Sequence, residues 1–391
     1  MAQKCDLAAN FPGAIDCYQQ ILALQPQRAD IYAKLGNAFY QQKKLNQAVF
    51  AFQQAIALQP KQEPSVYRDL GALLVEQKQH ERAIAIYQKA IKLYPNCASE
   101  FYHKLGDIYQ RQNKYFLAKN FWRKAKQERA LLNIKQVIQC IQQYFPSTGK
   151  LLAIDILDSG CEPTGKQLAL LAEQTTGRVV GTNIYPGFPQ KTIQRRRGNN
   201  EFYFMDGCKL DFDSATFDLV VSIDVLEHVR QPDVYLQECY RVLRPGGIGF
   251  FSWYPIWSGA TGHHIHPDMV AQAAQKLNLS CPNYSLNNDS LPWWGHLIFS
   301  AQEMLSFLIE HKKYDPQLAK WMRDYTYHGQ DLNRWHWQDI RQSFEHIAWE
   351  IVAEHHHVKQ LTSDNIKQQL TQKYGDPKDF EICGAKIIIR K

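Results

Sequence analysis

No window of this 391-residue chain approaches the ~20 uninterrupted apolar residues that a membrane-spanning helix needs, and no basic N-terminal segment leads into an apolar core. Those absences exclude a helical membrane protein and predict an unexported, cytoplasmic one. The nine cysteines, at 5, 17, 97, 140, 161, 208, 239, 281 and 383, stand singly and never as CxxC. That spacing argues against zinc ribbons and a small disulfide framework, and predicts reduced thiols. Excess charge is also scarce: the net value is +7, and the one dense basic run, Arg195-Arg196-Arg197, reads as a solvated loop. Nucleic acid is therefore not indicated as a partner. What the chain does have is 45% hydrophobic residues over a length that suits two domains.

The first third repeats itself. Leu35-Gly36, Leu70-Gly71 and Leu105-Gly106 recur every 35 residues, each preceded by a tyrosine, Tyr32, Tyr67 or Tyr102. Behind each glycine follow an alanine (Ala48, Ala83, Ala118), an aromatic residue (Phe52, Tyr87, Trp122) and a second alanine (Ala55, Ala90, Ala125). Pro60 and Pro95 close the first two units, and Ala14, Tyr18, Ile21 and Pro26 fit the second helix of an earlier, partial one. Small residues where two helices cross, an aromatic filling the gap between units and proline where a helix must stop describe a helical hairpin. Over residues 1–129 the pattern resembles the tetratricopeptide repeat family. The resemblance implies a concave surface for a protein or peptide, the alternative being an array that docks on the rest of the chain or dimerises. Residues 130–150, with apolar positions Leu132, Ile134, Val137, Ile138, Ile141 and Phe145, read as a capping helix and linker.

From 151 to 391 short apolar runs alternate with helical stretches: LLAIDILD, RVVGTNI, DLVVSIDVL, GGIGFFSW and the final AKIIIR. Such alternation predicts a mainly parallel sheet covered on both faces, with ligands beyond the carboxyl ends of its strands. Asp158, Gly160, Cys161, Asn183, Asp206 and Asp224 fall on that rim. Val225-Leu226-Glu227-His228-Val229 and Arg241-Val242-Leu243-Arg244-Pro245-Gly246-Gly247, together with Met205-Asp206-Gly207 and Phe217-Asp218-Leu219, resemble class I S-adenosylmethionine-dependent methyltransferases over about residues 150–256 and the last strand. The resemblance implies S-adenosyl-L-methionine as cofactor, bound by the Asp158-Gly160-Cys161 loop, with Asn183 at the ribose, Asp206 at the adenine amino group, Gly207 along the ring and Asp224 near the sulfonium. Two departures stand out. Glu162 and Thr164 occupy positions where the family has glycines, and Asn183 replaces an acid. A neutral acceptor weakens a ribose hydrogen bond by on the order of 1 kcal/mol.

Methyl transfer is an in-line displacement that chiefly needs alignment and exclusion of water; a hydroxyl or ammonium acceptor also needs a base. His263 and His264, with His266, follow the fifth strand and are the candidates, against metal binding and a structural role. His228 reads as part of the fold and His355-His356-His357 as bland. Trp253, Tyr254, Trp257, Tyr284, Trp293, Trp294 and His296 crowd an insertion at about 255–330 that reads as a lid, with Ser300 and Glu303 spaced as a capping box. The expected architecture is thus a helical-hairpin solenoid followed by a Rossmann-like, mainly parallel α/β methyltransferase domain. The expected function is methyl transfer to an oxygen or nitrogen acceptor on a protein, peptide or carrier-bound substrate that the array recruits. The alternative is a repeat scaffold whose methyltransferase domain has lost turnover.

Overall fold

The computed structural model describes residues 11–145, 152–161, 165–184, 200–280, 282, 284, 291–329, 332–375 and 377–391. The chain forms two compact units, Met1–Ala130 and Leu131–Lys391.

The first unit is built from α1 (Phe11–Leu24), α2 (Ala29–Gln41), α3 (Leu45–Leu58), α4 (Pro64–Glu76), α5 (His80–Leu93), α6 (Ala98–Arg111) and the first half of α7 (Tyr115–Tyr144). Each glycine of the repeat exists because an aromatic ring lies on it. A methyl group at Gly36, Gly71 or Gly106 would come within 2.8 Å of Phe52, 2.2 Å of Tyr87 or 2.3 Å of Trp122. The ring therefore fills the crossing within its own hairpin, where the spacing suggested a gap between units. Tyr87 does both, since its ring also lies 5.9 Å from that of Phe101 in the next hairpin. The flanking alanines Ala48, Ala55, Ala83, Ala90 and Ala118 are fully buried. Cys17 is disulfide-bonded, contrary to the expectation of reduced thiols, while Cys97, Cys140, Cys161, Cys208, Cys239 and Cys383 are free.

The second unit runs β1 (Ile156–Ser159), α8 (Lys166–Ala172), β2 (Val179–Asn183), β3 (Asn200–Phe204), β4 (Phe217–Ile223), α9 (Pro232–Val242) and β5 (Leu243–Trp253). It continues through α10 (Pro267–Lys276), α11 (Gly295–Ile298), α12 (Ala301–Ser306), α13 (Pro316–His328), α14 (Trp337–Glu345), β6 (Glu350–Val358), α15 (Asp364–Tyr374) and β7 (Ile382–Arg390). The sheet order is β3-β2-β1-β4-β5-β7-β6. Strands β1 to β5 are parallel, and β7 pairs antiparallel with both β5 and β6. Alternate strand residues serve opposite cores. Ile156, Val179, Leu219 and Val221 pack with Val137 and Ile141 from the second half of α7, whereas Leu157, Val180 and Val220 pack with Tyr235 and Leu236 of α9. Burial on both faces explains why these strands read as unbroken apolar runs.

The RVLRPGG and FDL motifs meet at the far end of the sheet from the rim. Arg244 donates to Asp155 Oδ2 at 2.9 Å and to Asp218 Oδ2 at 2.5 Å, and Asp218 Oδ2 also accepts from the Asp155 backbone N–H at 2.8 Å. One guanidinium thus bolts β5 to β4 and to the entry of β1. Between β5 and β6, α10, α12 and α13 enclose their own core around Ile265, Val270, Tyr284, Met304, Leu308 and Met322. The Ser300–Glu303 capping box is formed in both directions, at 3.3 and 2.7 Å.

Candidate functional site

At the end of β1, Asp158 and Ser159 are buried, and the chain turns at Gly160 with φ +89°. A Cβ there would lie 2.3 Å from Val225 Cγ2, so glycine lets the first loop press against the loop that follows β4. The N–H groups of Gly160 and Cys161 both donate to Thr182 O, at 2.8 and 3.0 Å. Asn183, at the end of β2, donates its amide to Cys161 O at 2.7 Å. A carboxylate could not make that bond, so the amide that stands here in place of an acid fastens the loop through its NH₂ end. Glu162 and Thr164 lie outside the described residues. Ser159 Oγ and Thr182 Oγ1 are buried and make no hydrogen bond among the described residues.

After β3, the exposed Asp206 accepts from the Cys208 N–H at 2.9 Å, an Asx-type turn. Gly207 follows because its neighbours leave no space: a Cβ would meet Tyr235 at 2.5 Å and Ser159 Oγ at 3.2 Å. Tyr235 is anchored in turn by donating to Ser222 Oγ at 2.9 Å. After β4, Asp224 adopts a left-handed conformation (φ +52°) and its N–H donates to Ser252 O of β5 at 2.8 Å. The structure therefore gathers Asp158, Gly160, Cys161, Asn183, Gly207 and Asp224 onto the rim formed by the carboxyl ends of β1 to β4, with the exposed Asp206 carboxylate beside them.

The histidines are buried. His263 retains 2%, His264 6% and His296 2% of their exposure. His263 Nδ1 accepts from the Ile265 N–H at 3.0 Å, which places its proton on Nε2. The His264 ring lies 5.5 Å from that of His228, in the turn just beyond Asp224. His296 Nε2 meets Trp257 O at 2.7 Å and therefore carries the proton, and its Nδ1 is buried with no hydrogen bond among the described residues. Burial pushes His263 and His264 well below the usual imidazole range. It also takes His296 down to about 4, the bond to Trp257 offsetting only part of the shift. All three are neutral imidazoles near pH 7. Among the described residues no group of His, Cys, Asp or Glu has metal-holding geometry. His355, His356 and His357 lie on edge strand β6, where His356 bonds Glu354 at 2.7 Å and packs on Trp337. His296 stood out in the sequence only as part of the aromatic-rich insertion, and Asn333, whose bonds reach residues more than a hundred positions earlier, has no local signature.

An open sheet, wound in both directions from β1 and β4, with a left-handed glycine turn at its switch point, defines a Rossmann-like α/β unit. Residues 157–251 match the methyltransferase domain family, and residues 10–43, 29–62 and 64–97 match tetratricopeptide repeat families. The chain therefore joins tetratricopeptide repeats to a methyltransferase domain of the class I type. Among similar proteins is a demethylmenaquinone methyltransferase of Clavibacter sepedonicus, 31% identical over 34% of this chain and 56% of the relative. Another is a ubiquinone biosynthesis O-methyltransferase of Coxiella burnetii, 26% identical over 35% of this chain and 57% of the relative. The chain spans about half the length of these curated relatives. A crystal structure of MamA aligns at 21% identity over 37% of this chain and 84% of its own, with a TM-score of 0.31.

Proposed function

We propose that the protein transfers the methyl group of S-adenosylmethionine to an oxygen or nitrogen acceptor on a protein, peptide or carrier-bound substrate recruited by the repeat array. The observation that carries this reading is the rim itself. A glycine turn pressed on Val225 is bordered by buried hydroxyls, Ser159 Oγ and Thr182 Oγ1, that find no protein partner among the described residues. Those features suit a polar ligand lying against backbone. The cofactor, when bound, supplies an electrophilic methyl group on a sulfonium. In this reading Asp158, Gly160 and Cys161 cradle its amino-acid end, and Asn183 accepts from a ribose hydroxyl. Asp206 accepts from the adenine amino group, Gly207 admits the ring, and Asp224 lies near the sulfonium. His264 and His263 are the residues proposed to take the acceptor's proton, since both are buried and neutral. Of the two, His264 ranks first, because the Nδ1 lone pair of His263 is held by Ile265.

Calorimetry with S-adenosylmethionine and S-adenosylhomocysteine on the full chain tests the proposal. We expect saturable binding, weakened about tenfold or more by Asp206→Ala, which removes a charge-assisted hydrogen bond. Absence of binding by the wild type would leave the repeat array as the working part of the molecule.

A further inference from the structure

The loop after β4 is held by a residue from the opposite end of the insertion. Residues Leu226–His228 form a single 3-10 turn, closed by a long bond from the Val229 N–H to Leu226 O at 3.4 Å. Asn333 adds further donors to this turn and to Val229. Its Nδ2 donates to Leu226 O at 2.6 Å and to Val229 O at 3.0 Å, and its backbone N–H donates to Glu227 O at 3.0 Å. The remaining Oδ1 accepts from the Trp335 N–H at 3.1 Å, so each end of the amide is fully used. The neighbouring Arg334, left-handed at φ +59°, turns the other way. Its guanidinium donates to Thr326 O at 3.1 Å and Gly329 O at 2.7 Å, at the carboxyl end of α13, and lies 5.6 Å from the ring of Trp257. Trp257 in turn contacts His296, with ring centroids 4.7 Å apart.

From this junction we infer that Asn333 is a positioning residue for the transfer site, and that Asn333-Arg334 couples the helical insertion to the β4 loop. The inference rests on the methyltransferase reading. The Asn333 side chain fixes carbonyls on either side of His228, in the turn that follows Asp224. An amide meets the whole demand, because one side-chain nitrogen donates to two carbonyls while the side-chain oxygen accepts from the Trp335 N–H. A carboxylate of the same shape would face both carbonyls with lone pairs. Movement of α13 is transmitted through Arg334 to the same turn, because consecutive residues cannot shift independently. An acceptor that orders the insertion would thereby also order the loop beside the sulfonium.

The test uses the full chain, S-adenosylhomocysteine as the probe, and hydrogen exchange of residues 224–229 measured well below the melting temperature. Asn333→Asp is expected to speed exchange in that segment and weaken S-adenosylhomocysteine roughly tenfold, the cost of about one lost hydrogen bond. Asn333→Ala serves as the milder variant should the first not fold. Arg334→Ala is expected to speed exchange both at the end of α13 and at 226–229, although it makes no bond to the latter. A merely structural role would lower the melting temperature of these variants and leave probe affinity and exchange at 226–229 as in the wild type; that result overturns the inference. If the wild type fails to bind the probe, the methyltransferase reading falls, and unchanged exchange at 226–229 in the Arg334 variant then rejects the coupling on its own.

Discussion

Gly160 shows how much one residue can commit. A side chain there is opposed twice, by a φ of +89° and by Val225 Cγ2 at 2.3 Å from the Cβ position, and Val225 cannot withdraw without disturbing the turn that Asn333 holds. Gly160→Ala should therefore abolish S-adenosylhomocysteine binding and cost roughly 2 kcal/mol or more of stability, checked by calorimetry and urea unfolding. The buried histidines make a second prediction, in pH. The folded value of His296, about 4, lies below the ordinary 6.5 of an exposed imidazole, so the unfolded chain takes up the proton first. Stability that depends on neutral His296 is complete above pH 6.5 and is lost as pH falls toward 4, and His263 and His264 shift in the same direction. The unfolding free energy should fall by about 1.4 kcal/mol per pH unit for each such histidine in this window, and His296→Gln should flatten the slope by about one such increment. Urea titrations at several pH values, followed by tryptophan fluorescence, would check this; eight of the nine tryptophans lie in the second unit, Trp122 being the exception. The positions of Asp158, Asn183 and Asp224 at strand ends were legible in the sequence because each closes an apolar run, whereas Asp206 and Gly207 follow β3, which carries no such run. Asn183 shows where that reading stopped: its likeness to an acid suggested a ribose acceptor, but nothing local announces that its NH₂ group closes on Cys161 O.

Helices α2, α4 and α6 end in the same way, and none uses the residue that would do so at least cost. The N–H groups of Lys44, Gln79 and Lys114 reach back to Phe39 O, Leu74 O and Tyr109 O, while those of Lys43, Lys78 and Asn113 reach Tyr40 O, Val75 O and Gln110 O. This is the paired bonding of a Schellman ending, with the left-handed residue at Lys43, Lys78 and Asn113, whose φ values are 58°, 60° and 58°. A lysine in that conformation carries a steric cost of about 1 kcal/mol that glycine does not. Lys43 and Lys78 are exposed, so little packing offsets it. Lys43→Gly and Lys78→Gly should each raise the stability of the array by up to about 1 kcal/mol, seen by far-ultraviolet circular dichroism as a higher urea midpoint; a lower one would show that the lysine side chains contribute more than their strain. The turns escaped the sequence because no glycine or proline marks them. Two strands escaped for a related reason. In β3, Asn-Glu-Phe-Tyr-Phe is short and opens on polar residues, and in β6 the residues are largely exposed, with three histidines in succession. Pairing partners, not local composition, make them strands: β3 lies along β2, and β6 along β7.

The molecule as a whole was legible where its order is periodic or local, as in the 35-residue repeat and the alternating strands, and hidden where residues distant in sequence meet, as Asn333 meets Leu226 across 107 positions. The boundary between the units belongs to both cases. Composition suggested that residues 130–150 form a linker with a capping helix, while the structure divides the chain after Ala130 and runs α7 unbroken from Tyr115 to Tyr144. The second half of that helix is part of the sheet domain's core: Ile134, Val137, Cys140 and Ile141 are buried with Ile156, Leu171, Leu219 and Phe250. Burial of each large aliphatic side chain contributes roughly 1.5–3 kcal/mol, so stripping Ile134, Val137 and Ile141 from one face removes an amount comparable with the ~5–15 kcal/mol net stability of an ordinary domain. Two fragments separate the consequences. Residues 131–391 keep the helix half, and this fragment should fold and bind S-adenosylhomocysteine within about twofold of the full chain, because every rim residue and the core beneath it lie in the second unit. Residues 151–391 lack it and should expose Ile156 and Leu219, lose cooperative unfolding and aggregate. If the longer fragment folds but does not bind, the repeats supply part of the cofactor site; if the shorter one is as stable as the longer, the packing of Val137 and Ile141 on the sheet contributes little, and the core of this unit ends at β1.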